Sequence, residues 1–176
     1  APTCYLCSFA SAACAMVAPL AESIVAEPGV VRMGQHSLAR WPGLLAQLVQ
    51  PVYFQHNGTL IVWHRQVAPE AARLRQKFEQ TQGAVPQLPH MQPLDAAALA
   101  EREPALAGRF SQGLYLPGEG QLDNRQLLDA LAATMDALGV ATHWHSARAP
   151  QDFAPGAAGQ PDWQLDCRGL GAREQW

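Results

Sequence analysis

Apolar positions change their period several times along the chain, and each change marks an element. Between residues 29 and 49 they fall at Val30, Met33, Leu38, Trp41, Leu44, Leu45 and Leu48, a helical spacing bounded by Pro28 and Pro51. Trp41-Pro42 lies inside this run and predicts a kink or break, because proline has no amide to donate and crowds the carbonyl one turn back. Strand-like runs follow at residues 52–55 and 59–64, and Asn57-Gly58 between them predicts a β-hairpin. A polar helix is expected over residues 69–81, with Glu70, Arg73, Arg75, Lys77 and Glu79 facing solvent. Next comes a loop with Pro86, Pro89 and Pro93, and Asp95 then caps a short helix reaching Glu101.

Residues 113–117 read as a strand, Gly118-Glu119-Gly120 as a turn, and Glu119 as a solvated turn residue. Asp123 caps a long amphipathic helix carrying Leu127, Leu128, Leu131, Met135 and Leu138, closed by Gly139. Strands are expected at residues 140–145 and 162–167, on either side of a connection at residues 147–161 rich in proline, glycine and alanine. A hairpin set between helices makes the fold class α+β, mixed α/β rather than a plain βαβ alternation.

Composition narrows the function classes. The chain has 176 residues, 48% of them hydrophobic and only 15% charged, and a net charge of −3. Lys77 is the single lysine and the arginines are scattered, so no clustered basic face predicts nucleic acid. No apolar run reaches the roughly 20 residues of a membrane span. The apolar stretch at residues 10–20 lacks the basic flank of a signal peptide, which makes the cytoplasm the expected location. Cys4 and Cys7 form a C-x-x-C, which suits a redox pair or half of a zinc site. The other half would have to come from His143 and His145, or from Cys14 and Cys167; neither spacing is that of a zinc module, so no metal is expected and the four cysteines are read as reduced and mostly packed. No Ser-His-Asp or Cys-His set follows from spacing. His56 and His64 read as surface residues, and Trp41, Trp63, Trp144 and Trp163 as core or half-buried ones.

Two stretches remain. Residues 8–22 read SFASAACAMVAPLAE, small residues that let a backbone approach a helix or a flat cofactor, and CRGLGAR occupies residues 167–173 just after an expected strand. Alone, the first is ambiguous and reads more readily as an alanine-rich helix packed on another helix, and the second reads equally as an ordinary tight turn or as the edge of a ligand crevice. With VYFQHNGTLIVWH at residues 52–64 and EREPALAGRFSQGLYLPGEGQLDNRQLLDAL at residues 101–131 they stand in a recognisable order. The chain resembles the centre of an FAD-dependent amine or amino-acid oxidoreductase of the D-amino-acid oxidase and glycine oxidase family.

The resemblance implies an FAD-binding, Rossmann-like domain interleaved with a mixed-sheet substrate domain. Residues 1–50 would be the flavin-side segment and a helix of the FAD domain, residues 51–121 the substrate domain, and residues 122–176 the return to the FAD domain. It places Ala10, Ser11, Cys14, Ala15 and Met16 along the flavin, with Ala15 where relatives carry glycine. It sets Arg148 near the adenine end, and Gly169 and Gly171 at the turn back to the cofactor. The implied chemistry is transfer of the Cα hydride of an amine or amino acid to FAD, with a glycine oxidase role in thiamine biosynthesis as its most specific form. No catalytic residue is assigned, since the arginine that holds a substrate carboxylate in relatives has no counterpart here. The chain also lacks the G-x-G-x-x-G loop that cradles a pyrophosphate. It is therefore expected to be inactive alone, and to be marginally stable or a homo-oligomer through uncovered edges. The rival expectations are a non-catalytic module binding a small molecule or a protein, and a zinc protein using Cys4 and Cys7.

Overall fold

The proline at the start of α1 (Pro28–Leu45) presets the first helical turn, and Val31 and Leu38, two turns apart, give the helix its buried stripe. The helix runs through Pro42 and ends at Leu45, so the predicted break at Trp41 falls within the following turn. A proline this close to a C-terminus removes few helical bonds. In α2 (Ala68–Ala84) Ala71 and Phe78 are buried beneath a charged outer face. Asp95 caps α3 (Ala96–Arg102), its Oδ1 accepting from the Ala98 amide at 2.8 Å, and Leu99 anchors this helix. Asp123 caps α4 (Asn124–Ala137), its Oδ1 accepting from the amides of Arg125 and Gln126 at 3.0 Å each. Gly139, at φ +71°, ends that helix as expected, with the Val140 amide donating to the Met135 carbonyl at 2.9 Å.

The computed structural model describes residues 15–143, 146, 162, 163, 165 and 167. Among them six strands form two antiparallel sheets. In one, β6 (Gly120–Leu122) lies between β1 (Met16–Val17) and β2 (Phe54–Gln55). In the other, β5 (Gln112–Leu116) lies between β3 (Thr59–Val62) and β4 (Gln92–Asp95). The strand at β4 lies in what the sequence presented as a proline loop; Pro93 sits on an edge strand, where a missing amide is tolerated.

The expected hairpin is not formed. Instead β2 pairs with β6 and β3 with β5, so residues 54–62 run as one bent ribbon against residues 113–122. Gln55 faces Gln121 and Thr59 faces Leu116, which leaves residues 56–58 opposite residues 117–120. The unequal count makes a bulged corner between the sheets. Asn57-Gly58 still supplies left-handed backbone, with Gly58 at φ +82° and its amide donating to the Glu119 carbonyl at 2.8 Å. The longer apolar partner wins: pairing with residues 113–122 buries Leu114, Leu116 and Leu122.

The core gathers Leu20, Val31, Phe78, Val85, Leu88, Leu114 and Leu116, with Ile61, Trp63, Leu74 and Met91 packed around it. It joins α1 and α2 to the inner face of the β3-β5-β4 sheet. Residues 141–176 form a second unit. Its described residues carry no strand, which corrects the expectation at residues 140–145 and 162–167 where they can be compared. Apolar alternation does not by itself provide the hydrogen-bonded neighbour that makes a strand. Trp163 is 84% exposed rather than packed, and Cys167 is free and exposed.

Candidate functional site

Of the residues expected along a flavin, Ala15 and Met16 are described; Ala10, Ser11, Cys14, Arg148, Gly169 and Gly171 lie outside the described residues. The Ala15 carbonyl accepts from the Leu122 amide at 3.0 Å, and Met16 stands opposite Gln121, which stands opposite Gln55. Directly opposed residues in an antiparallel sheet share a face. Met16, Gln121 and Gln55 therefore form one cross-strand row, and all three are exposed, Met16 at 39%. The other face carries Val17, Gly120, Phe54 and Leu122, which turn inward.

Helix α4 fixes the rim of this open face. The Tyr53 amide donates to Gln126 Oε1 at 2.7 Å and the Asp123 amide to the Tyr53 carbonyl at 3.0 Å. Gln121 Nε2 in turn donates to the Tyr53 hydroxyl at 3.4 Å. The result is a cavity of about 450 Å³ lined by Ala15, Met16, Tyr53, Gln121, Asp123 and Arg125, among others. That is within the range of small-molecule clefts, and it offers a soft thioether, an aromatic ring and side-chain amides. Larger hollows, of about 630 Å³ along α1 at Arg40 and Trp41 and about 510 Å³ at Trp63 and Asp95, contain none of the expected site residues.

Glu119 stands at the corner behind the open face, and here the structure corrects the sequence. Its side chain is not solvated: the residue is 1% exposed, and its Oε1 accepts from the Ala21 amide at 2.7 Å. Its Oε2 has no hydrogen-bond partner. Burial raises the carboxyl above its ordinary 4.5; the Ala21 amide, the Thr59 hydroxyl and the Leu20 amide oppose the rise, and the Glu22 charge adds to it. Flanking glycines make room for the corner. A Cβ on Gly118 would lie 2.7 Å from the Pro89 ring, and one on Gly120 would lie 2.5 Å from the Gln55 carbonyl oxygen. Nothing local distinguishes such an acid from a solvated turn residue, because its burial depends on Leu20 and Ala21, far away in sequence.

His56 and His64 are exposed as expected, and His64 stacks on Phe110 with ring centroids 4.8 Å apart. Among the described residues no group of three His, Cys, Asp or Glu could hold a metal; Cys4, Cys7, Cys14 and His145 lie outside them. Nor is any helix among them long and apolar enough to cross a membrane.

The described residues thus form two small antiparallel sheets, one of which leaves a face open at Met16, Gln121 and Gln55. Residues 7–170 match the family described as FAD dependent oxidoreductase, and the chain belongs to that family. It is 34% identical over 121 residues to a Rhizobium etli protein named as a thiamine biosynthesis oxidoreductase, ThiO, covering 69% of this chain. The chain spans only 32% of that relative's length. Its fold is shared with glycine oxidase from Geobacillus kaustophilus, at 24% identity and a TM-score of 0.63, over 77% of this chain and 36% of that one. An iminodiacetate oxidase from a Chelativorans species superposes with a TM-score of 0.59 at 15% identity, over 74% of this chain and 36% of that one. The cofactor of the family is FAD, and the residues around the open face fit a flavin ring: an exposed thioether, an aromatic side chain and amide groups along one flat row.

Proposed function

We propose that this chain is the central part of an FAD-dependent enzyme that oxidises a small amine or amino acid, in the manner of glycine oxidase. The observation that carries the proposal is the open cross-strand row of Met16, Gln121 and Gln55, in which Met16 belongs to the small-residue segment. The names of the similar proteins support the substrate class, since glycine and iminodiacetate both carry an amine nitrogen on a carbon bearing hydrogen and a carboxylate.

When bound, FAD would supply the hydride acceptor for the substrate Cα–H. Met16, Tyr53 and Gln121 would hold it, Met16 through sulfur–aromatic contact and the other two through polar groups. Residues 1–50 and 122–176 would serve the FAD side and residues 51–121 the substrate side, with Tyr53 and Gln121 at the edge where the substrate side meets the flavin. The β3-β5-β4 sheet, which lies wholly within residues 51–121, supports that division.

The test is a titration of FAD with the chain, followed by quenching of flavin fluorescence, for the wild type and Met16→Asp. Saturable binding that Met16→Asp weakens roughly tenfold or more agrees with a cofactor on this face. A longer form of the protein, loaded with FAD and mixed anaerobically with glycine and secondary amines, should lose its visible flavin absorbance. No saturable binding by either form, or no bleaching by any amine, would overturn the proposal.

A further inference from the structure

We infer that Glu119 is a positioning residue for the strand that carries Met16: its buried carboxyl group fastens the turn after β1 to the corner between β5 and β6. The fastening stands on geometry alone, and its consequence for the cofactor rests on the function proposed above. β1 is only two residues long, so its own ladder holds it weakly. Tethers stand on both sides of it. Before the strand, the Leu122 amide donates to the Ala15 carbonyl; after it, the Ala21 amide donates to Glu119 Oε1 at 2.7 Å, across 98 positions of sequence. Met16 lies between the two.

The corner itself is rigid. The Glu119 carbonyl accepts from the Gly58 amide at 2.8 Å, and Gly118 and Gly120 are pressed against Pro89 and the Gln55 carbonyl. At the far end, Ala21 begins a 3-10 turn (Ala21–Ile24) with no side-chain cap of its own, and Leu20 and Ser23 are buried there. The Glu119 carboxyl does the work of that cap from a distant strand.

The charge state of the fastener matters because Oε2 has no partner. Glu22, in the same turn, is the titratable group whose charge reaches it. The corner is otherwise built from Gln55, Gly58, Thr59 and Pro89, none of which titrates, and the Lys77 ammonium is engaged by the Ile24 carbonyl. No cation among the described residues forms an ion pair with Glu119. A proton on the carboxyl removes a buried charge without removing the acceptor that holds Ala21. Losing that proton strengthens the Ala21 bond itself but leaves a carboxylate 1% exposed, and this desolvation outweighs the help of the Ala21, Thr59 and Leu20 hydrogen-bond donors, so the closed turn is favoured less.

The experiment compares the wild type with Glu119→Gln and Glu119→Ala across about pH 5 to 9. It reads hydrogen exchange at the Ala21 amide without flavin, and flavin affinity by fluorescence. In the wild type, Ala21 protection, corrected for the intrinsic rise of exchange with pH, should fall as the carboxyl ionises, and flavin affinity should fall with it. Glu119→Gln, which keeps the acceptor and cannot ionise, should hold both constant. Glu119→Ala should lose Ala21 protection roughly tenfold at every pH. A wild-type pH profile surviving in Glu119→Gln, or full Ala21 protection in Glu119→Ala, would overturn the inference. Ala21 protection that follows Glu119 in a chain that binds no flavin would uphold the fastener and sink the cofactor reading instead.

Discussion

Substituting alanine for Gly58 probes the bulged corner that joins the two sheets. Gly58 has φ +82°, in the left-handed region, and a Cβ there would lie 2.3 Å from Tyr115 Cε2 and 2.6 Å from Cζ. The ring cannot simply swing aside. Its hydroxyl donates to the Asn57 carbonyl at 2.9 Å, and the Arg102 guanidinium sits 3.7 Å from its centroid. Left-handed backbone costs an alanine about 1–2 kcal/mol. A displaced Tyr115 forfeits a hydrogen bond worth about 0.5–1.5 kcal/mol and an exposed cation–π contact worth about 0.5–1 kcal/mol. Gly58→Ala should therefore cost about 2–4.5 kcal/mol, read as a lower urea midpoint at unchanged slope by tryptophan fluorescence. In a Tyr115→Ala background only the backbone part should remain, about 1–2 kcal/mol. Equal costs in the two backgrounds would refute the steric argument, and a Gly58→Ala midpoint equal to that of the wild type would refute the corner itself.

Phe78→Ala should be the more damaging core substitution, at about 3–5 kcal/mol, because Phe78 is 0% exposed at the junction of α1, α2 and the β3-β5-β4 sheet; equilibrium unfolding measures it. Asp123→Ala should cost about 1 kcal/mol and fray the first turn of α4, seen as faster exchange at the Arg125 and Gln126 amides that its carboxylate accepts from. The pH dependence of stability should carry the sign of a buried acid. Since folding raises the Glu119 carboxyl above 4.5, the folded state binds more protons in that window, and stability falls as pH rises from 4.5 through the raised value. Glu119→Gln should flatten that part of a melting-temperature profile, and an unchanged profile would assign the pH dependence to other groups.

Much of the helical layer could be read directly, because caps and stripes are local. Asp95 and Asp123 occupy the cap positions that their spacing predicts, and Gly139 takes the left-handed conformation that closes α4. The strands were legible as strands at residues 54–55, 59–62 and 112–116, but their partners were not. Asn57-Gly58 is a valid turn signal, and Gly58 does adopt left-handed backbone. What the signal could not weigh was the apolar run at Leu114, Leu116 and Leu122, which competes for the same strands and wins.

The site divides in the same way. Met16 was expected on a flavin-side segment from the order of motifs alone, whereas Gln121, Gln55 and Tyr53 had no signal to mark them. They enter the proposed site only because the register sets Met16 beside Gln121 and Gln121 beside Gln55. Glu119 is the sharpest case. Between two glycines its carboxylate looks solvated, and it is buried because residues 20–24 fold over it. By itself the sequence determined the helices, their caps, the left-handed glycines and membership of a flavin-dependent family, all of which depend on neighbours within a few residues or on the order of motifs. The tertiary structure decided which strands pair, which face stays open and which carboxyl is buried, since those depend on competition between segments far apart in the chain.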